Sequence, residues 1–247
     1  MSKICNEIHE IFNELKEHSF PFNNKEIPKN GIYILFEKGE KFNGLKRIVR
    51  IGTHTGDNQL QSRLKQHFVK ENKDRSIFRK NIGRAILNLE NDSFLEQWEL
   101  DLTTRANKEK YLEQIDFERQ QRIEKKVTEY IQNNFSFAVF EVLEKEQRLR
   151  IESRIISTIS NCTNCKPSKI WLGLSSPKQK IKDSGLWLVN ELWKQSLSEN
   201  ELTELKEIVK STTYNKELRQ KTSAFYTFLN QSTFIVCTYH TINHFSQ

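Results

Sequence analysis

Two apolar runs joined by a short polar turn constrain this chain more than any other feature. Gly31-Ile-Tyr-Ile-Leu-Phe-Glu37 follows an Asn30-Gly31 turn signal, and Arg47 to Thr53 forms a second run after a turn through Lys38, Gly39, Asn43 and Gly44. Together they predict an antiparallel hairpin with a somewhat long loop, Ile32, Ile34 and Phe36 facing one side. A third run, Phe135-Ser-Phe-Ala-Val-Phe-Glu-Val142, has no breaker and predicts a buried strand, placed centrally or at an edge. Only 8 Gly and 4 Pro in 247 residues make tight turns few and disfavour an all-β sandwich.

The remaining periodicity is helical. Ile4, Ile8, Phe12 and Leu15 mark an amphipathic first helix, and Leu60, Leu64 and Phe68 mark another with Arg63, His67 and Lys70 beside the stripe. Ser76 to Leu89 repeats the pattern with a concentration of positive charge. Residues 108–132 keep Leu112, Ile115, Ile123, Val127 and Ile131 among many charges, which predicts one long, solvent-washed inserted helix. A helix over 145–160 carries Leu149, Ile155, Ile156 and Ile159, with Glu152 against that stripe, and Ser198-x-x-Glu201 opens a further helix as a capping box. The expected fold is α+β, a small, mainly antiparallel three-stranded sheet flanked by helices. The chain divides into an N-terminal helix and loop (1–29), a core domain (30–165, insertion about 94–134) and a helical C-terminal extension (166–247).

Lys and Arg number 39 against 32 Asp and Glu, so the formal net charge of +7 favours an acidic partner such as nucleic acid. No apolar run approaches the roughly 18 residues of a membrane span, and the first residues read as an amphipathic helix rather than a signal peptide, which places the protein in the cytoplasm. Four cysteines are too few and too scattered for a disulfide framework. Cys162-x-x-Cys165 could join Cys237 and His240 or His244 in a tetrahedral zinc site, though an isolated CxxC is more often incidental.

The order of Gly31-Ile32-Tyr33 on one strand, Arg50-Ile51-Gly52 on the next, Leu60-Gln-Ser-Arg63-Leu64-Lys-Gln-His67 on a helix, and Glu152 on a later helix resembles the GIY-YIG nuclease superfamily. The resemblance covers roughly residues 30–161, departs from the pattern in placing Arg50 where the second motif's Tyr is expected, and extends to segments such as Trp171-Leu-Gly173 that are similar to an uncharacterised bacterial branch. It implies a divalent-metal-dependent endonuclease, Mg²⁺ or Mn²⁺ held by Glu152. Tyr33 would be the general base toward water, Arg50 the charge that assists an ordinarily weak phenol base, Arg63 the clamp on the scissile phosphate, and His67 the hydrogen-bond or proton partner of the phenol.

Asn161 and Asn164 are both candidates for a further site residue, and Thr53 and His54 have no role from the motif. Arg75, Arg79 and Arg84 are expected to contact DNA phosphates. DNA is the expected partner, in a restriction or defence role, because no tandem DNA-binding modules follow the catalytic region. Cutting both strands suggests a homodimer, with the helix around Leu112 to Ile131 as its interface. Two alternatives stay open: a nucleic-acid-binding scaffold that has lost catalysis, and a helical interaction protein in which Tyr33, Arg63 and Glu152 lie far apart.

Overall fold

The computed structural model describes residues 2–212. Helix α1 (Ser2–Asn13) precedes β1 (Glu17–Ser19), and β2 (Gly31–Phe42) and β3 (Leu45–Gly52) form the expected hairpin. Helices α2 (Leu60–Phe68), α3 (Ile77–Leu89), α4 (Leu95–Glu99), α5 (Arg105–Tyr111) and α6 (Phe117–Asn134) lead to β4 (Phe135–Glu141). Helices α7 (Lys145–Ser160), α8 (Gln179–Ser184) and α9 (199–212) follow. The strand order is β1-β4-β2-β3 and every pairing is antiparallel, so the third apolar run sits centrally. The fourth strand corrects the expectation of three. Glu-His-Ser is too short to show a period, and only its pairing with β4, His18 opposite Phe137, makes it a strand.

Side-chain alternation along β2 splits the core in two. Ile32, Ile34 and Phe36 pack with Cys5, Ile8 and Phe12 of α1 and Ile151, Ile155 and Ile159 of α7. Tyr33 and Leu35 face the other way, onto Leu60, Leu64 and Phe68 of α2, Phe78 and Ile82 of α3, and Val127 and Ile131 of α6. Residues beyond 166 enter both cores: Leu186 and Leu188 the first, Trp171, Ile181 and Trp187 the second. Packing therefore runs across the divisions drawn in the sequence at 29/30 and 165/166.

The single helix expected over 108–132 is broken. A turn of 3-10 helix (Leu112–Gln114) ends α5, and the Asp116 side chain accepts the Arg119 amide to cap a new helix, α6. Ile123, Val127 and Ile131 of α6 are buried within the chain, while Leu112 and Phe117 of the segment expected to form a dimer interface are exposed. The capping box at Ser198 and Glu201 is formed, the Ser198 amide donating to the carboxylate at 2.9 Å and the Glu201 amide to Ser198 Oγ at 3.3 Å. No helix among the described residues is long and apolar enough to cross a membrane.

Candidate active site

A bulge in β3 sets up the site. Leu35 lies opposite Arg50 and Phe36 opposite Ile48, so Val49 is the extra residue, and both Val49 and Arg50 turn to the Tyr33 side of the sheet. Tyr33 pairs with Gly52, and the phenol lies where a side chain at 52 would be: a Cβ there would sit 2.2 Å from the hydroxyl. Glycine at the end of the second motif is thus a packing requirement. Gly31 is equally confined, since its Cβ would meet the Phe140 carbonyl oxygen at 2.2 Å.

The Tyr33 hydroxyl lies 2.8 Å from His67 Nε2 and receives the Arg50 Nε–H at 3.3 Å. Arg50 is anchored by donating to the Trp187 carbonyl at 2.5 Å and by stacking its guanidinium over Phe78. His67 Nδ1 meets Ser76 Oγ at 2.7 Å, and Ser76 also caps α3 by accepting the Arg79 amide. Burial, followed by the charges of Arg63, Arg50 and Arg79, holds the imidazole well below its ordinary pKa of 6.5, so the ring is neutral. A neutral ring that keeps its proton on Nδ1, toward Ser76, presents Nε2 as acceptor for the phenol. Tyr33 and His67 have no exposed surface.

Glu152 comes from α7, which packs on the opposite face, and reaches the end of β3, where its Oε1 accepts the Thr53 amide at 3.0 Å. Burial pushes the carboxyl up to about 7, against the pull of Arg50, the Thr53 amide and Arg63, with Glu191 adding to the push. Neither salt bridge that would make Glu152 merely structural is formed. Arg154 pairs with Glu201, and Arg63 donates to Gln66 and to the Arg75 carbonyl. A half-buried carboxylate with its ionised form disfavoured, and no ion pair among the described residues, fits a hard divalent cation that takes its other oxygen ligands from water and phosphate.

Arg63 overlooks a cleft of about 260 Å³ lined also by Thr53, His54, Thr55, Gln59, Ser62 and Gln66. Beside it a wider groove of about 540 Å³ carries Lys65, Lys70 and Arg75. Tyr33, Arg50, Arg63, His67 and Glu152 are thus brought together, which removes the reading in which their order is accidental. The phosphate role expected of Arg79 and Arg84 is corrected. Arg79 is fully buried, donating to the Glu124 carboxylate at 2.7 Å, and Arg84 is held by Glu99 at 2.5 and 2.6 Å, so neither guanidinium is free for DNA. Arg75 is exposed in the groove.

Asn161 binds the Lys194 carbonyl and lies nine residues beyond Glu152 on α7, about 13 Å along the axis, and Asn164 is exposed further on. Two residues missed as site components are Thr53, whose amide holds Glu152 and whose hydroxyl donates to the Gly31 carbonyl at 2.7 Å, and Ser76, whose place before an apolar helical stripe was the available signal. His54 uses Nε2 to accept the Gly31 amide and so fixes the start of β2.

A family model described as the GIY-YIG domain matches residues 3–215. No curated protein and no solved structure matches the chain.

Proposed function

This chain belongs to the GIY-YIG family, whose members are nucleases, and from that premise we propose that it is a divalent-metal-dependent DNA endonuclease of restriction or defence type. The observation that carries the reading is Glu152, a carboxylate raised to about 7 with no ion pair among the described residues, bonded to the amide of Thr53, which lines the cleft that also holds Arg63. Lys65, Lys70 and Arg75 in the adjoining groove supply a path for a DNA backbone, contacts that position a duplex without reading its sequence.

In this reading Glu152 holds Mg²⁺ or Mn²⁺, which when bound supplies Lewis-acid stabilisation of the phosphate oxygens. Arg63 donates to the scissile phosphate and offsets the charge that grows on it in the transition state. The Tyr33 oxygen takes the proton of the attacking water while its own proton passes to the neutral His67 Nε2, and the Arg50 N–H stabilises the negative charge that the phenol oxygen gains during the transfer. Because Tyr33 is covered, engagement of DNA must open the phenol toward the cleft. Arg50 in place of the family's second tyrosine favours one rival, a scaffold that binds DNA and does not cut it.

Cleavage of supercoiled plasmid and genomic DNA with Mg²⁺ or Mn²⁺ separates the two. Nicking or cutting that disappears in Glu152→Gln and falls at least about 100-fold in Tyr33→Phe supports the proposal, and discrete genomic fragments support the restriction role. Wild-type protein that binds DNA but leaves it intact with either metal overturns it. Normal cutting by Tyr33→Phe would assign the buried pair a supporting role only.

A further inference from the structure

On the opposite face of the sheet, three soft ligands that the nuclease chemistry does not use converge, with a fourth, Cys162, against one of them. Cys5 and His9 stand four residues apart on α1, and Cys162 and Cys165 flank the turn that ends α7, closed by the Cys165 amide donating to the Cys162 carbonyl at 3.3 Å. All four are buried. The ligand atoms of Cys5, His9 and Cys165 lie within 4.8 Å of one another, and the thiols of Cys162 and Cys165 both lie against that of Cys5. Cys5 Sγ is 3.8 Å from His9 Nδ1, and Cys165 Sγ is 3.7 Å from His9 Nε2.

The 3.7 Å between Cys165 Sγ and His9 Nε2 is the separation that two ligands of one tetrahedral ion have, while Cys5 Sγ lies nearest the other ring nitrogen. A tetrahedral centre with metal–sulfur bonds of about 2.3 Å and a metal–nitrogen bond of about 2.0–2.1 Å places its ligand atoms about 3.5–3.8 Å apart. We propose that Cys5, His9, Cys162 and Cys165 form a structural zinc site that ties the first helix to the loop after α7. The sequence pattern, Cys-x-x-x-His on a helix and Cys-x-x-Cys at a turn, is one that zinc sites use, and sulfur and imidazole donors select zinc over the hard cation suited to Glu152.

The surroundings also suit the metal. His9 Nδ1 meets the Cys5 carbonyl oxygen at 2.8 Å, the kind of backbone bond that orients a histidine binding through Nε2. Nε2 now accepts the Ile48 amide at 3.2 Å, so the metal displaces that one hydrogen bond. Arg47, itself paired with Glu40, is close enough for its charge to act on Cys165. Cys237, His240 and His244, which the sequence offered as partners of Cys162 and Cys165, lie outside the described residues, and Cys5 and His9 take their place in this proposal.

The test is independent of cleavage: measure zinc in the full-length protein purified without chelator, then titrate the stripped protein with Co²⁺. About one zinc per chain, intense visible bands of tetrahedral Co²⁺ with sulfur charge transfer, loss of both in Cys165→Ser and His9→Asn, and retention in Glu152→Gln and Cys237→Ser are expected. The Co²⁺ spectrum of wild type needs no variant to fold. Protein that purifies without zinc and gives only weak octahedral Co²⁺ bands, or whose mass shows a disulfide among these cysteines, overturns the proposal, as does zinc lost in Cys237→Ser alone.

Discussion

Among the glutamates on or beside this sheet, Glu37 and Glu40 of β2 differ from Glu152 of α7. Glu37 accepts from Tyr130 at 2.5 Å, Trp171 Nε1 at 2.7 Å and Trp187 Nε1 at 2.8 Å. Glu40 forms an ion pair with the fully buried Arg47 at 2.6 Å and accepts from the Ser168 amide and hydroxyl. Both are architecture: apart from Arg47, their donors come from Tyr130, Ser168, Trp171 and Trp187, and they bind the later part of the described chain to the first hairpin. Glu152 has a single amide, from Thr53, and no ion pair among the described residues. A carboxylate buried with so little compensation has its ionised form disfavoured, and this is the difference on which the metal-binding proposal for Glu152 rests.

The comparison sharpens most under Arg47→Ala. Leaving Glu40 charged and unpaired should lower folding stability by about 3–5 kcal/mol, read by urea denaturation, and an unchanged midpoint would break the contrast. Glu152→Gln should act in the opposite direction. The wild-type carboxyl, raised to about 7 from an ordinary 4.5, contributes stability below pH 4.5 that is lost as pH rises through 7. At pH 8 in EDTA the variant should therefore be more stable than wild type by up to about 3 kcal/mol, with the advantage gone near pH 4. A variant that is destabilised at pH 8 would make Glu152 another structural carboxylate.

Trp187→Phe keeps an aromatic ring but loses part of the buried indole and one of three donors to Glu37, so a loss of about 1–3 kcal/mol or more is expected in the same denaturation series. The smallest effect belongs to His67. Its folded pKa is depressed, so the unfolded chain binds more protons below 6.5, and wild-type stability should fall with pH there by up to about 1.4 kcal/mol per unit relative to His67→Gln. Parallel pH profiles would mean the ring is protonated in place and cannot accept from Tyr33.

Local pattern made the hairpin, the β4 strand and helix α7 legible, because each is long enough to show a period. The same patterns put Tyr33, Arg63, His67 and Glu152 in order on strands and helices, and the resemblance to the GIY-YIG superfamily then pointed to them as candidate site residues. What local pattern does not carry is partnership. Arg79 and Arg84 looked like a solvated basic face until Glu124 and Glu99, distant in sequence, were seen to neutralise them. The bulge at Val49 and the Trp187 carbonyl that aim and hold Arg50 depend on register and on a segment more than a hundred residues away. Three-residue β1 and the cap at Asp116 failed for the opposite reason, being too short to register as a pattern.

The most direct test is Mn²⁺ binding, followed by electron paramagnetic resonance in the presence of a short duplex, in a Tyr33→Phe background that leaves the DNA uncut. One Mn²⁺ per chain that is lost when Glu152→Gln is added, and kept with Glu37→Gln, is the expected result. Equal Mn²⁺ occupancy with and without the Glu152 carboxylate would contradict it.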